Sequence, residues 1–262
     1  MYGFHLNSYD KETKKALIKG KCSIYQCFVD EYKNCLQYQP ELKPVIHGSF
    51  YINLASENIF TEYLLCKEIK FCLNHKIRYY VVHMGKCSKK LKLEHKDCIY
   101  NTIKLLVKTC KKLNLHKNDK FNLCIELLCG ESNDLLWDFT KLYKYFFLHE
   151  IVKKQKKYFK NLKICFDTCH VFASGYDIND IATFEKLIHY ISKTIKLNRI
   201  GLIHLNNSVF NLNERKDQHA DINNGKMSTE SMIYIFNYFK KLNIPLVLEM
   251  KNINTNLNYI IN

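Results

Sequence analysis

The run KICFDTCHVFASG, residues 163–175, carries an apolar stretch into Asp167 and then sets Cys169 and His170 directly behind it. A carboxylate at the end of a buried strand must find a partner, bind a metal or stay protonated. Taken alone, the stretch fits a thiolate metal site, a Cys/His nucleophile pair or an oxygen/nitrogen metal site. Residues of the same type recur at the ends of other short apolar runs: His47, His83, Glu126, His204 and Glu249. Asp217 and His219, in NERKDQHAD, stand two apart, a spacing that turns both side chains the same way from an extended segment. With Asp167 and His170 this makes nine candidate ligands. Nine nitrogen and oxygen donors exceed what one tetrahedral or octahedral ion uses, so the pattern implies two or three ions. A His and carboxylate mixture suits zinc, with manganese or iron as alternatives, and Cys169 is then left to packing.

The elements that must position these residues are legible as eight β-rich runs, at 2–6, 22–29, 43–47, 78–83, 121–126, 163–167, 199–204 and 244–249. Between them lie helix-spaced apolar sets: Ile99, Ile103, Leu106, Cys110, Leu113; Ile181, Phe184, Ile188, Ile191, Ile195; and Met232, Ile235, Phe239, Leu242. The first two intervening segments carry the weakest helical pattern. Alternation of strand and helix implies a parallel sheet, and eight units can close into an α/β fold of the (β/α)8 TIM barrel type, a single domain over residues 1–262. Runs three to eight all stop at a ligand-type side chain. In a parallel barrel those ends share one face, the face that carries active sites. Three acids and three histidines there would repel and desolvate one another unless cations neutralised the acids, and no Arg or Lys holds an equivalent position.

Forty Lys+Arg against twenty-five Asp+Glu give a formal charge of +15, which favours a polyanionic partner such as nucleic acid. A composition biased toward Lys, Asn, Ile and Tyr accounts for part of that charge. The twelve cysteines sit inside apolar runs without a CxxC motif and read as reduced, buried thiols. No signal peptide and no membrane-spanning window is visible. An intracellular, reducing location is expected, cytoplasm ahead of nucleus, and a viral source is compatible. The run KKQKK, residues 153–157, reads as a solvated face. Lys86, Lys89 and Lys90, just after a strand end, are better placed to meet phosphate.

The motifs CFDTCHVFASGYD, HLNNS, RKDQHADINNG and PLVLEM, in this order, resemble the endonuclease IV family of apurinic/apyrimidinic (AP) endonucleases. The resemblance runs from about residue 5 to 249. It implies three zinc ions: His47 and His83 on the first; Asp167, His204 and Glu249 on the second, with Glu126 bridging the two; His170, Asp217 and His219 on the third. It implies a DNA-repair hydrolase that cuts the backbone 5′ to an abasic site, leaves a 3′-hydroxyl and a 5′-deoxyribose phosphate, and trims blocked 3′ ends. Metals about 3.5–4 Å apart suit such an in-line displacement. Glu126 and Glu249 are then the catalytic acids, one bridging and one orienting the nucleophile. The partner is double-stranded DNA with abasic sites or blocked 3′ ends, met by a monomer through Phe50 and Tyr51 of HGSFYINLA, Lys86 and Arg215. His5 is expected to support ligands rather than ligate.

Several loops depart from the family pattern. ELLCGES replaces a Glu-Asn-Thr-Ala-Gly type sequence, DINNG a Gly-Glu-Gly, and HMGKCSKK a Pro-Gly turn, while the segment after the second strand lacks the Arg-bearing intercalating loop. Two rivals remain: a sugar isomerase or epimerase on the same barrel, which needs no D-x-H loop, and a non-catalytic DNA-binding relative. On the three-ion reading, His219→Ala should lose most cleavage with the barrel still folded by circular dichroism; full activity in that variant would remove the third ion from the reaction.

Overall fold

The structure, a computed structural model, describes residues 1–6, 11–38, 41–87, 94–250 and 252–261; Lys89 and Lys90 lie outside the described residues. Eight parallel strands close into a barrel: β1 (Tyr2–His5), β2 (Ile24–Cys27), β3 (Lys43–His47), β4 (Tyr79–His83), β5 (Asn122–Glu126), β6 (Leu162–Asp167), β7 (Ile200–His204) and β10 (Leu246–Leu248), which returns to β1. A two-stranded hairpin, β8 (Asn207–Ser208) with β9 (His219–Ala220), is set into the connection after β7. Every expected strand forms. The last is shorter than the sequence suggested because the Glu249 N–H turns to the Asn206 side chain, at 2.9 Å, instead of the ladder.

Helices α1 (Lys11–Lys19), α2 (Tyr32–Tyr38), α3 (Ile59–Asn74), α4 (His95–Lys112), α8 (Ile181–Thr194) and α9 (Thr229–Lys241) supply most of the outer layer. Most of the expected apolar sets are its inward faces: α4 buries Ile99, Ile103, Leu106 and Cys110, α8 buries Phe184, Ile188 and Ile191, and α9 buries Met232, Ile235 and Phe239, whereas Ile181 and Leu242, at helix ends, are exposed. Leu113, Ile195 and Leu242 are the C-cap residues of these three helices. The two weakly patterned helices are the short ones, α1 and α2. The crossover after β5 is irregular, with a single turn α5 (Phe139–Lys141), a π-helical stretch Leu142–Phe147 and α6 (Glu150–Lys154). The run 153–157 follows the solvated edge of α6, where Lys154 pairs with Glu150 at 3.0 Å. All twelve cysteines are buried and free.

The barrel interior explains where the polar residues must go. Ile24, Val45, Tyr79, Val81, Cys124, Cys165, Leu202 and Val247 form a cluster of their own, separate from the layer under the helices. Seven strands supply it, and on β1 the corresponding residue is Gly3, beside Ile24. Side chains alternate along a strand, so the next inward residue lies two positions on. That step gives His5, Gln26, His47, His83, Glu126, Asp167, His204 and Glu249, one from each strand. An apolar plug thus carries a ring of eight polar side chains at the C-terminal mouth. Register between β6 and β7 needs one adjustment: pairing jumps from Ile164↔Ile200 to Cys165↔Leu202, and the extra residue, Gly201, brings His204 opposite Asp167.

Gly3 has no room for a side chain, since a Cβ there would run into the Ile24 carbonyl oxygen. Gly3→Ala is expected to cost roughly 1–3 kcal/mol as an overpacking change, read as a lower midpoint in urea denaturation; an unchanged midpoint would mean that β1 and β2 separate freely.

Candidate metal centre

Asp167 ends β6 and is also the N-cap of α7 (Thr168–Ala173): its Oδ1 accepts the His170 N–H at 2.9 Å. That cap fixes the three-residue spacing between acid and histidine. Oδ2 is left facing the barrel mouth, where Asn206 Nδ2 donates to it at 2.6 Å. Cys169 is buried and donates weakly to the Gln218 carbonyl at 3.7 Å, while its Sγ stays within 4.8 Å of donor atoms of Asp167 and His219.

All nine candidate ligands converge. His47, His83 and Glu126 form one group, Glu126, Asp167, His204 and Glu249 a second, and His170, Asp217 and His219 a third; within each group the donor atoms lie within 4.8 Å of one another. Glu126 belongs to the first two. Most of these residues line a cavity of about 270 Å³ together with His5, Phe28 and Phe50.

Three of the imidazoles have one ring nitrogen occupied by a carbonyl oxygen: His47 Nδ1 on Gly48 O at 2.8 Å, His170 Nδ1 on Leu127 O at 2.9 Å, and His204 Nε2 on Gln26 Oε1 at 2.9 Å. Each therefore turns its other nitrogen on an acid: His47 Nε2 to Glu126 at 3.2 Å, His170 Nε2 to Asp217 at 3.1 Å, His204 Nδ1 to Glu126 at 3.0 Å. His170 Nε2 is buried and makes no aligned hydrogen bond. A nitrogen lone pair held against a carboxylate needs a proton or a cation between them, and a divalent ion fits this donor set of imidazole and carboxylate.

Three residues that carry the geometry were not singled out from sequence. Gln26, the inward residue of β2, donates to Glu249 Oε1 at 2.6 Å, contacts His5 Nδ1 at 3.0 Å and holds His204. Asn206 joins Asp167 to Glu249, reaching Oε2 at 3.0 Å, and is itself locked by Thr168. Glu68, buried on α3, accepts from the Ser49 N–H at 3.2 Å and the Tyr80 hydroxyl at 2.8 Å, which fixes the loop after His47. Strand parity would have found Gln26, and HLNNS contains Asn206; Glu68 leaves no local signal. His5, the β1 member of the ring, stands 3.7 Å from Glu249.

The electrostatics express the same demand for positive charge. Burial works against the ionised form of Glu126, yet His204 and His83 hold its carboxyl well below the usual range. Burial likewise opposes ionisation of Glu249 and Asp217, but His204 beside the one and His170 beside the other keep both low. Asp167 goes the other way, pushed up by burial. Burial also disfavours the imidazolium of His204, but Glu249 and Glu126 raise it to about 9, and Asp167 and Asp217 raise His170.

Phe50 and Tyr51 stand exposed at the cavity mouth, at 69% and 82%, with the Phe50 ring 5.6 Å from His47 and 5.5 Å from His83. Arg215 is exposed, 4.8 Å from the Trp137 ring. Lys86 is engaged, its ammonium 3.1 Å from both Glu131 and Asp134.

Residues 7–260 match the family described as xylose isomerase-like TIM barrel. A probable endonuclease 4 of Sulfurihydrogenibium sp. is 31% identical over 87% of this chain and 81% of its own length, and one of Persephonella marina is 33% identical over 79% and 70%. The chain belongs to the endonuclease IV family. The crystal structure of endonuclease IV from Thermus thermophilus superposes with a TM-score of 0.74 at 21% identity, covering 99% of this chain and 97% of that one. The endonuclease IV fold thus runs the length of both chains.

For this endonuclease IV relative the pKa directions fix a pH dependence. His204 lies above its ordinary value of about 6.5, so the stability it contributes is complete below that pH and is lost as pH rises through about 9. The depressed Glu126, Glu249 and Asp217 contribute above about pH 4 and lose that on acidification. Divalent ions bind the neutral imidazoles and release protons. Melting midpoints of chelator-treated protein should fall from about pH 6.5 to 9, while the gap to zinc-loaded protein widens; parallel curves would exclude proton and ion competition at this centre.

Proposed function

We propose that the chain is a hydrolytic AP endonuclease acting on double-stranded DNA, cutting 5′ to an abasic site to leave a 3′-hydroxyl and a 5′-deoxyribose phosphate, and trimming blocked 3′ ends. One observation carries this reading: three imidazole and carboxylate groups share one cavity, and the first two share Glu126. In this reading His47 and His83 hold one zinc ion, Asp167, His204 and Glu249 a second, with Glu126 between the two, and His170, Asp217 and His219 a third; manganese or iron in some positions is compatible with the same donors. Bound there, the ions supply Lewis acidity, an activated water and charge neutralisation for in-line displacement at phosphorus.

The remaining work falls to the chain's own residues. Glu249, held by Gln26 on one oxygen and Asn206 on the other, is a fixed hydrogen-bond acceptor that orients the attacking nucleophile. Its nearness to His204, 3.2 Å, keeps that carboxylate ionised. Phe50 and Tyr51 are the apolar surface that fills the gap left by a missing base, and an unpaired position is the least costly one to open. Arg215 meets the phosphate backbone beside Asp217. Lys86 reaches phosphate only by exchanging Glu131 for it, since Asp134 retains its own claim on the ammonium. No protein nucleophile is required, in keeping with the burial of Cys169.

A duplex with one tetrahydrofuran abasic analogue, which cannot undergo β-elimination, tests this. Incubation without added magnesium should yield a single 5′ incision and an extendable 3′-hydroxyl, and prolonged zinc chelation should abolish it. Intact duplex with metal-replete protein would shift weight to sugar isomerisation or to DNA binding without cleavage.

A further inference from the structure

Beside the metal centre lies a second, larger cavity of about 410 Å³, a size typical of small-ligand sites. Its walls are Ile99, Leu136, Trp137 and Tyr145, and Lys96 and Lys141 border it. The loop after β5 that begins ELLCGES, one of the stretches that departs from the family pattern, continues directly into its floor. That loop is tied to the catalytic face from both sides. On one side the Leu135 N–H donates to the Gly85 carbonyl at 3.0 Å, two residues beyond His83, and Asp134 pairs with Lys86. On the other, Trp137 stacks on Arg215, two residues before Asp217.

The lining selects a ligand type. Asp134 reaches the cavity with its charge answered in two ways: Oδ2 accepts the Gly130 and Glu131 N–H groups at 3.0 and 2.8 Å, and Oδ1, without an aligned hydrogen bond, lies 3.1 Å from the Lys86 ammonium. It offers an anion little repulsion. Lys141, 4.7 Å from the Trp137 ring, and Arg215 have no carboxylate partner among the described residues. Lys144 lies 5.2 Å from the Tyr145 ring. Half-exposed aromatic walls with unpaired cations at the rim are the chemistry of a planar ring carrying an anionic group.

We infer that this cavity is a nucleotide subsite, taking an unstacked base of the DNA strand against Tyr145 and the Trp137 edge, with its phosphate at Lys141 and Arg215. The inference rests on the reading of the neighbouring centre as a DNA-cleaving one. It gives the enzyme a hold on a nucleotide beside the lesion, separate from the Phe50 and Tyr51 surface.

Trp137 is the chain's one tryptophan, so its emission reports on this cavity and on Arg215 beside it, and the Tyr145 and Lys141 variants separate the two. Metal-replete protein is titrated with a short oligothymidylate, with deoxyadenosine monophosphate, and with the tetrahydrofuran duplex. Saturable quenching by the strand, weakened about tenfold in Tyr145→Ala and in Lys141→Glu, is the expected result, and KM for the duplex should rise in the same two variants. Both side chains are exposed, so the fold should tolerate either change. Quenching by the mononucleotide as tight as by the strand would make free nucleotide the occupant and overturn the strand assignment. Unmoved emission, or variants with unchanged quenching and KM while the duplex is cut normally, would overturn the subsite itself. Saturable quenching by a protein that leaves the duplex intact would keep the subsite and discard the cleavage reading.

Discussion

Glu126 is the residue the rest of the site is built around. Its carboxyl is almost wholly removed from solvent and lies within 3.5 Å of ring nitrogens from His47, His83, His170 and His204. A lone carboxylate in such a position is untenable without compensating positive charge. Every other feature of the mouth answers that condition: imidazoles aimed inward, the far nitrogens of His47 and His204 tied to carbonyl oxygens, and amide side chains rather than ammonium groups holding the neighbouring acids. Amides orient without adding fixed charge, which leaves the balance to be completed by whatever cation enters.

The closed parallel barrel makes such a concentration of polar groups tolerable. The apolar plug below it, from Ile24 to Val247, seals the interior, so the polar ring has one open side. The two-residue repeat then converts a choice of residue at each strand end into a choice of polar group at the mouth. The Gly201 irregularity shows how tightly that choice is specified: without the one-residue shift, Ile203 rather than His204 would stand beside Asp167.

Much of this was legible in the sequence because barrel strands end abruptly and ligand-type residues sit at those ends. His47, His83, Glu126, Asp167, His204 and Glu249 could be placed on one rim from strand order alone, and the D-x-H pair joined them through its spacing. What could not be read were interactions between distant segments. Gln26 meets Glu249 across 223 positions and Glu68 meets Ser49 across 19, and neither pairing has a local pattern. The Lys86 expectation shows the opposite limit: its place after β4 was correct, but the loop after β5 supplies two acids that occupy it. Irregular backbone was likewise opaque, as in the π-helical stretch Leu142–Phe147, where the apolar residues follow no single period.

Asp167 has one oxygen capping a helix and the other turned to the barrel mouth. Asparagine there would still start the helix but would forfeit the negative charge; glutamate would keep the charge but, one methylene longer, could no longer start the helix and face the cavity together. Neither of its nearest chemical neighbours is a neutral step. This position is therefore held from two directions at once, by the helix it starts and by the charge it brings to the mouth.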